Sequence, residues 1–196
     1  MKQSKKLGLA TIVAGIIIVF GSTCLVTGCG GGSSGGNDSG GGNQPPVTPP
    51  PDTNGLPPDP GAEGNATREG IDSNGNNVRD DMEIAIHKRY PDDELKRDAL
   101  MRGAFVLQKA MLAGGAILDG TGSRDRVFQL SESEGFAVMC LSDEFGSSGL
   151  EELGFLENTL VKGSDRGKAY DMYSATASGS FDGLPDTDTP CQDINL

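Results

Sequence analysis

Residues 30–66 are too rich in glycine and proline to build a core of their own, and this bounds what the rest of the chain can fold into. Eight of the 13 residues from Gly30 to Gly42 are Gly, and eight of the 11 Pro fall between Pro45 and Pro60. Glycine widens backbone freedom and proline restricts it. The first half should therefore behave as a flexible coil and the second as stiffer polyproline II. A flexible chain of 37 residues reaches roughly 30–37 Å, a lower figure here because of the prolines. Residues 29–66 thus read as a disordered linker, and residues 67–196 as one domain of ordinary size.

On the other side of the linker, residues 1–28 read as a targeting segment. Lys2, Lys5 and Lys6 form a basic start, Leu7 to Phe20 is apolar and uncharged, and small residues follow. Leu25-Val26-Thr27-Gly28-Cys29 resembles the bacterial lipoprotein signal: an aliphatic residue three places before the cysteine, then small residues, then Cys. Cys24 does not fit, with Gly21 at that third place and Thr23 just before it. The resemblance implies diacylglycerol on the Cys29 thiol, cleavage before Cys29 and acylation (palmitate or a similar chain) of the new amino group. Several acyl chains anchor firmly where one is marginal, at about 0.8 kcal/mol per buried CH₂. Gly30 after the cysteine, in place of the Asp that retains enteric lipoproteins on the inner membrane, points by resemblance to the outer membrane, facing the periplasm or the cell surface. Two alternatives stay open: an ordinary secretory peptide, or an uncleaved helix, since Leu7 to Val26 is about the length that spans hydrocarbon. Each exports the remainder of the chain.

Charge narrows the partners. The chain carries 16 Lys and Arg against 28 Asp and Glu, a formal charge of −12, which argues against a nucleic-acid binder. Removing residues 1–28 takes away three lysines and no acid, so an anionic leaflet would repel what is left and the lipid itself must hold it to the membrane. The expected partner is an envelope or extracellular protein or glycan.

Helical spacing dominates residues 67–196. Met82, Ile86 and Tyr90 form one stripe that Pro91 ends. A second helix begins after Asp92, with Asp93 and Glu94 at its positive end. Its stripe runs through Leu100, Ala104, Leu107 and Met111, and Gly114-Gly115 should stop it. Ser131 with Glu134, and Ser148 with Glu151, are spaced as capping boxes and should open two further segments, one with Phe136, Met139 and Cys140, the other with Leu153, Leu156 and Leu160. A last helix from about Asp165 places Ala169, Met172, Tyr173 and Thr176 on one face. Five short helices without an alternating strand pattern predict a small all-α bundle.

Of the four cysteines, Cys24 leaves with the signal and Cys29 is lipidated, which leaves Cys140 and Cys191. In an oxidising compartment these two should pair; the alternative is a buried Cys140 beside a free Cys191.

The most informative motif is Asp72-Ser73-Asn74-Gly75-Asn76-Asn77-Val78-Arg79-Asp80-Asp81-Met82-Glu83. Oxygen-bearing side chains stand at positions 1 (Asp72), 3 (Asn74), 5 (Asn76), 9 (Asp80) and 12 (Glu83), and Val78 at position 7 can lend its carbonyl. That spacing wraps oxygens round one hard Ca²⁺ ion. The segment resembles the single calcium loops of thrombospondin type-3 and related bacterial repeats, with Val78-Arg79-Asp80 in the matching phrase. Three features depart from an EF-hand. Asn77 replaces the glycine of position 6, Arg79 replaces the aliphatic residue that pairs two loops, and Gly64 to Gly70 is a poor preceding helix. The resemblance therefore implies a lone loop with the weak affinity of extracellular modules, about 10⁻⁴–10⁻³ M. The other reading is a loop of Asx turns whose Asp80 and Asp81 simply start a helix. Asp182, Asp186 and Asp188 are a weaker ion-binding candidate and read first as a solvated tail.

Catalytic equipment is thin. The single His, His87, sits beside Lys88 and Arg89 off the apolar stripe, no nucleophile elbow accompanies it, and zinc would need more His or Cys than are free. The leading class is a calcium-stabilised helical binding or envelope-structural module on a lipid tether. The competing classes are a tethered carboxylate-pair hydrolase and a surface adhesin.

Overall fold

The computed structural model describes residues 55–179 and 183–194. Within them the fold is all-α, with five helices and one C-terminal turn: α1 (Asp80–Arg89), α2 (Glu94–Leu118), α3 (Arg124–Phe145), α4 (Gly149–Leu160), α5 (Ser164–Ala177) and α6 (Pro190–Asp193). No strand occurs among the described residues. The signal, Cys29, Asp182 and the linker as far as Asn54 lie outside them. Of the segment read as linker, residues 55–66 are described, and Pro57 and Gly64 are buried.

Helix α2 is the centre of the bundle. Its 25 residues span about 37 Å, and α1, α3, α4 and α5 all pack against it. Leu100, Ala104, Leu107 and Met111 are completely buried, as their spacing predicts. Its start follows local chemistry: the Asp93 side chain accepts the Lys96 N–H at 3.2 Å as N-cap. Its end does not. The helix runs through Gly114-Gly115 because neither glycine is a stop here; both are places where something approaches the helix backbone. A Cβ on Gly114 would overlap the Ala169 carbonyl of α5 and lie 2.6 Å from Tyr173 N, and one on Gly115 would lie 2.8 Å from an Arg68 guanidinium nitrogen.

Helix α3 also corrects the expected boundary. It begins at Arg124, seven residues before Ser131, because Val127 and Leu130 pack with Ala110 and Tyr173 in a second apolar cluster. Ser131 is inside the helix, its hydroxyl donating to Phe128 O at 2.7 Å, a usual solution for a serine in a helix interior. Glu134 turns to two tyrosines instead of to a helix start. Ser148 does stand at the N-cap of α4, but it makes no side-chain cap hydrogen bond; a 3₁₀ turn, Gly146–Ser148, leads into the helix.

The three acids of the first turn of α1 and the His87, Lys88 and Arg89 of its last turn oppose the helix dipole at both ends. Met82 and Ile86 are buried and Tyr90 half-buried, so the stripe faces the core. Cys140 of α3 is bonded to Cys191 of α6, with Cα atoms 4.7 Å apart. Arg102 of α2 adds a hydrogen bond to the Cys191 carbonyl at 3.0 Å. Together they hold the C-terminal turn on the bundle.

Candidate metal centre

The loop from Asp72 to the first turn of α1 is built from its own side chains. Asp72 accepts the N–H groups of Gly75 (2.8 Å), Asn76 (3.2 Å) and Asn77 (2.8 Å), which curls the backbone round its carboxylate. Asn74 Oδ1 accepts Asn76 N–H at 3.1 Å and Asn76 Oδ1 accepts Val78 N–H at 2.8 Å. These are successive Asx turns. Asn77 has φ of 65°, and it is the one non-glycine residue in the left-handed region among the described residues. Asparagine thus takes the conformation that position 6 of such a loop requires, where a β-branched residue would be strained.

Three carboxylates converge. Asp72, Asp80 and Glu83 each offer an oxygen, and these oxygens lie within 4.8 Å of one another. Asp80 is fully buried and Glu83 nearly so. Asp80 Oδ1 accepts Ser73 N–H at 2.9 Å, while Asp80 Oδ2 is buried with no hydrogen-bond partner. Burial and the neighbouring Asp80 and Asp72 charges push the Glu83 carboxyl above its ordinary range, and hydrogen bonds from the Asn76 and Asn74 amides only partly offset this. Those amides donate to Glu83 at 2.6 Å from Asn76 and at 3.1 and 3.2 Å from Asn74. The loop therefore concentrates negative charge at a buried point and meets it with neutral donors alone. Burying charge without a counter-charge is costly, and these three carboxylates are placed so that they could hold a metal ion.

The chain matches no family model, no curated protein and no solved structure.

Of the residues named from sequence, Asp72, Asn74, Asn76, Asp80 and Glu83 share this one site. Val78 is buried in the main core and fixes the loop to the bundle. Asp186 and Asp188 are exposed and join no acidic cluster of this kind among the described residues.

The residue whose structural role the sequence did not reveal is Arg79. It is fully buried. Its N–H donates to Gln108 Oε1 of α2 at 3.1 Å. Its guanidinium donates to both Asp81 oxygens, at 2.8 and 3.0 Å, and to the Leu160 and Thr159 carbonyls, at 3.2 and 3.3 Å. Those carbonyls belong to the last turn of α4, where no intrahelical donor is left. Arg79 thus ties the loop to α2 and caps the end of α4. The signal was present, as an arginine where an aliphatic residue is usual, but its carbonyl acceptors are some 80 residues away.

A second buried arginine sits beside it. Arg166 of α5 donates to Asn65 Oδ1 and to the carbonyls of Gly64, Thr67 and Arg68, drawing the segment before the loop onto the bundle. Gly70, at φ of 71°, lies against both arginines, 3.0 Å separating its Cβ position from Arg166 Nη2. Arg68 bridges Asp119 and Asp165 at 2.5 and 2.8 Å. Together these contacts explain why residues read as linker are ordered here.

A further acidic pair lies elsewhere. The Tyr170 hydroxyl is 2.9 Å from Glu157 Oε1 and 3.3 Å from Glu134 Oε1, and Tyr173 donates to Glu134 Oε2 at 3.0 Å. Burial raises both carboxyls above the ordinary range. Two phenol protons are available to the two carboxylates, that of Tyr173 to Glu134 and that of Tyr170 to Glu157. Neither glutamate lines the cavity between α2 and α3. His87 is half-buried on α1, apart from both acidic clusters.

Proposed function

We propose that this chain is an exported lipoprotein, anchored through Cys29, whose helical domain is a binding or envelope-structural module stapled by Ca²⁺ at Asp72, Asn74, Asn76, Val78, Asp80 and Glu83. The observation that carries the ion reading is the orphaned Asp80 Oδ2, fully buried inside a triad of converging carboxylates. An all-oxygen donor set suits a hard cation, and the spacing and multiplicity suit Ca²⁺ better than Mg²⁺, which demands stricter octahedral geometry. When bound, the ion would supply the positive charge that the amides of Asn74 and Asn76 cannot. The chain's own residues do the rest: Asp72 shapes the loop, Asn77 turns it, and Arg79 passes its position to α2 and α4. At ten times Kd, binding to the folded state alone adds about 1.4 kcal/mol. The anchor reading rests on the order of residues around Cys29; the outer membrane is the proposed address and an envelope or extracellular protein or glycan the proposed partner.

Calcium titration by calorimetry, with thermal melting in Ca²⁺ and in chelator, tests the staple. A raised melting temperature in millimolar Ca²⁺, absent in the Asp72→Ala, Glu83→Ala double variant, is the expected result; an unchanged melt of the parent protein overturns it. For the anchor, mass spectrometry should find a mature amino terminus at Cys29 bearing acyl chains, and intact residues 1–28 on the membrane-bound protein would refute it.

A further inference from the structure

A cavity of about 340 Å³ opens between α2, α3 and α6, at the lower end of the size range of small-molecule sites. Apolar side chains back it, Phe105, Val106, Leu130 and Ile194, each 4% exposed or less, while polar groups supply most of its accessible surface. Two cations, Lys109 and Arg126, line it as well. Lys109 Nζ lies 3.7 Å from the centroid of the Phe105 ring, close enough for the ring face to help hold a cation in place. In a chain with 28 acids to 16 bases, both would be expected to find carboxylates. Yet the ion pairs among the described residues use Arg68, Arg79, Arg89, Lys96 and Arg102. Burial and the nearby Arg126 charge together hold the Lys109 ammonium below its ordinary range. Glu132 and Asp193 also line the cavity, but neither counters the effect of burial and Arg126 on the Lys109 ammonium. A bound anion would answer both the desolvation and the repulsion, and a short apolar body would meet Phe136 and the apolar backing.

We propose that this cavity binds a small organic carboxylate, its carboxylate group held by Lys109 and Arg126 and its apolar body seated on Phe105, Phe136 and Ile194. The disulfide is part of the design, since Cys191 holds the turn that brings Ile194 to the cavity. The site stands apart from the calcium loop: none of its lining residues belongs to Asp72–Glu83, so either reading can fail without the other.

The test titrates the calcium-loaded full chain with 3-phenylpropanoate by calorimetry and follows the Ile194 methyl signals by NMR. Saturable one-site binding that shifts Ile194 is expected, with 3-phenylpropan-1-ol about tenfold weaker because it lacks the charge. Arg126→Gln and Lys109→Met should each weaken the carboxylate about fivefold or more without moving the melting temperature. Arg126 is exposed, so its variant keeps the test decisive even if Lys109→Met fails to fold. No saturable binding, equal affinity for the alcohol, wild-type affinity of Arg126→Gln, or equal competition by inorganic phosphate would each overturn the proposal.

Discussion

At position 79 an aliphatic side chain would leave the last carbonyls of α4 without donors and Asp81 without its partner. Arg79→Met should therefore cost about 3–5 kcal/mol, the scale for breaking a buried ion pair from one side, read as a lower urea midpoint. Gly70→Ala should be destabilising by a different route, since the residue is left-handed and its Cβ would run into the Arg79 side chain. The Glu134 and Glu157 pair carries a pH signature. Both folded-state carboxyls lie above the ordinary value of 4.5, so the fold favours their protonated forms. Stability contributed by these two groups is present below that value and is lost as pH rises through their raised values. Glu134→Gln keeps a neutral amide there at every pH. Its melting temperature relative to the parent should rise between acid and neutral pH, and a constant difference would show that the carboxyl is not titrating in the fold.

Helix ends in this bundle are decided partly by caps and partly by neighbours. Asp93 caps α2 as local rules require, and Pro91 separates α1 from α2. The other end of α2 obeys α5: Gly114 admits the Ala169 carbonyl where any side chain would collide with backbone. Gly114→Ala, which would raise intrinsic helix propensity by about 1 kcal/mol, should nevertheless destabilise by about 3 kcal/mol through overpacking. Thermal melting would show a fall, and a rise would mean that α2 and α5 do not pack this closely. Ser131 makes the same point for α3. Its spacing to Glu134 matches a capping box, but Val127 and Leu130 have apolar partners, and burying them extends the helix past the polar signal.

For the whole molecule, the Cys140–Cys191 bond closes a separation of 51 residues, worth about 4 kcal/mol in the chain-entropy account. Cys140→Ser with Cys191→Ser should lower stability on that scale and free the C-terminal turn, seen as faster amide exchange at residues 191–194. The all-α class, the apolar stripes, the pairing of Cys140 with Cys191 and the spacing of Asp72, Asp80 and Glu83 were readable from the chain alone. Each depends on residues a few places apart or on a simple count. What needed the tertiary structure was the passage of α2 through two glycines, the early start of α3, the burial of Arg79 and Arg166, the orphaned oxygen of Asp80, and the cavity flanked by Lys109 and Arg126. All of these are set by groups far away in sequence: a carbonyl of α5, the end of α4, a turn held by a disulfide. Periodicity and capping report what a segment prefers by itself, whereas burial and close approach depend on what the rest of the chain places beside it.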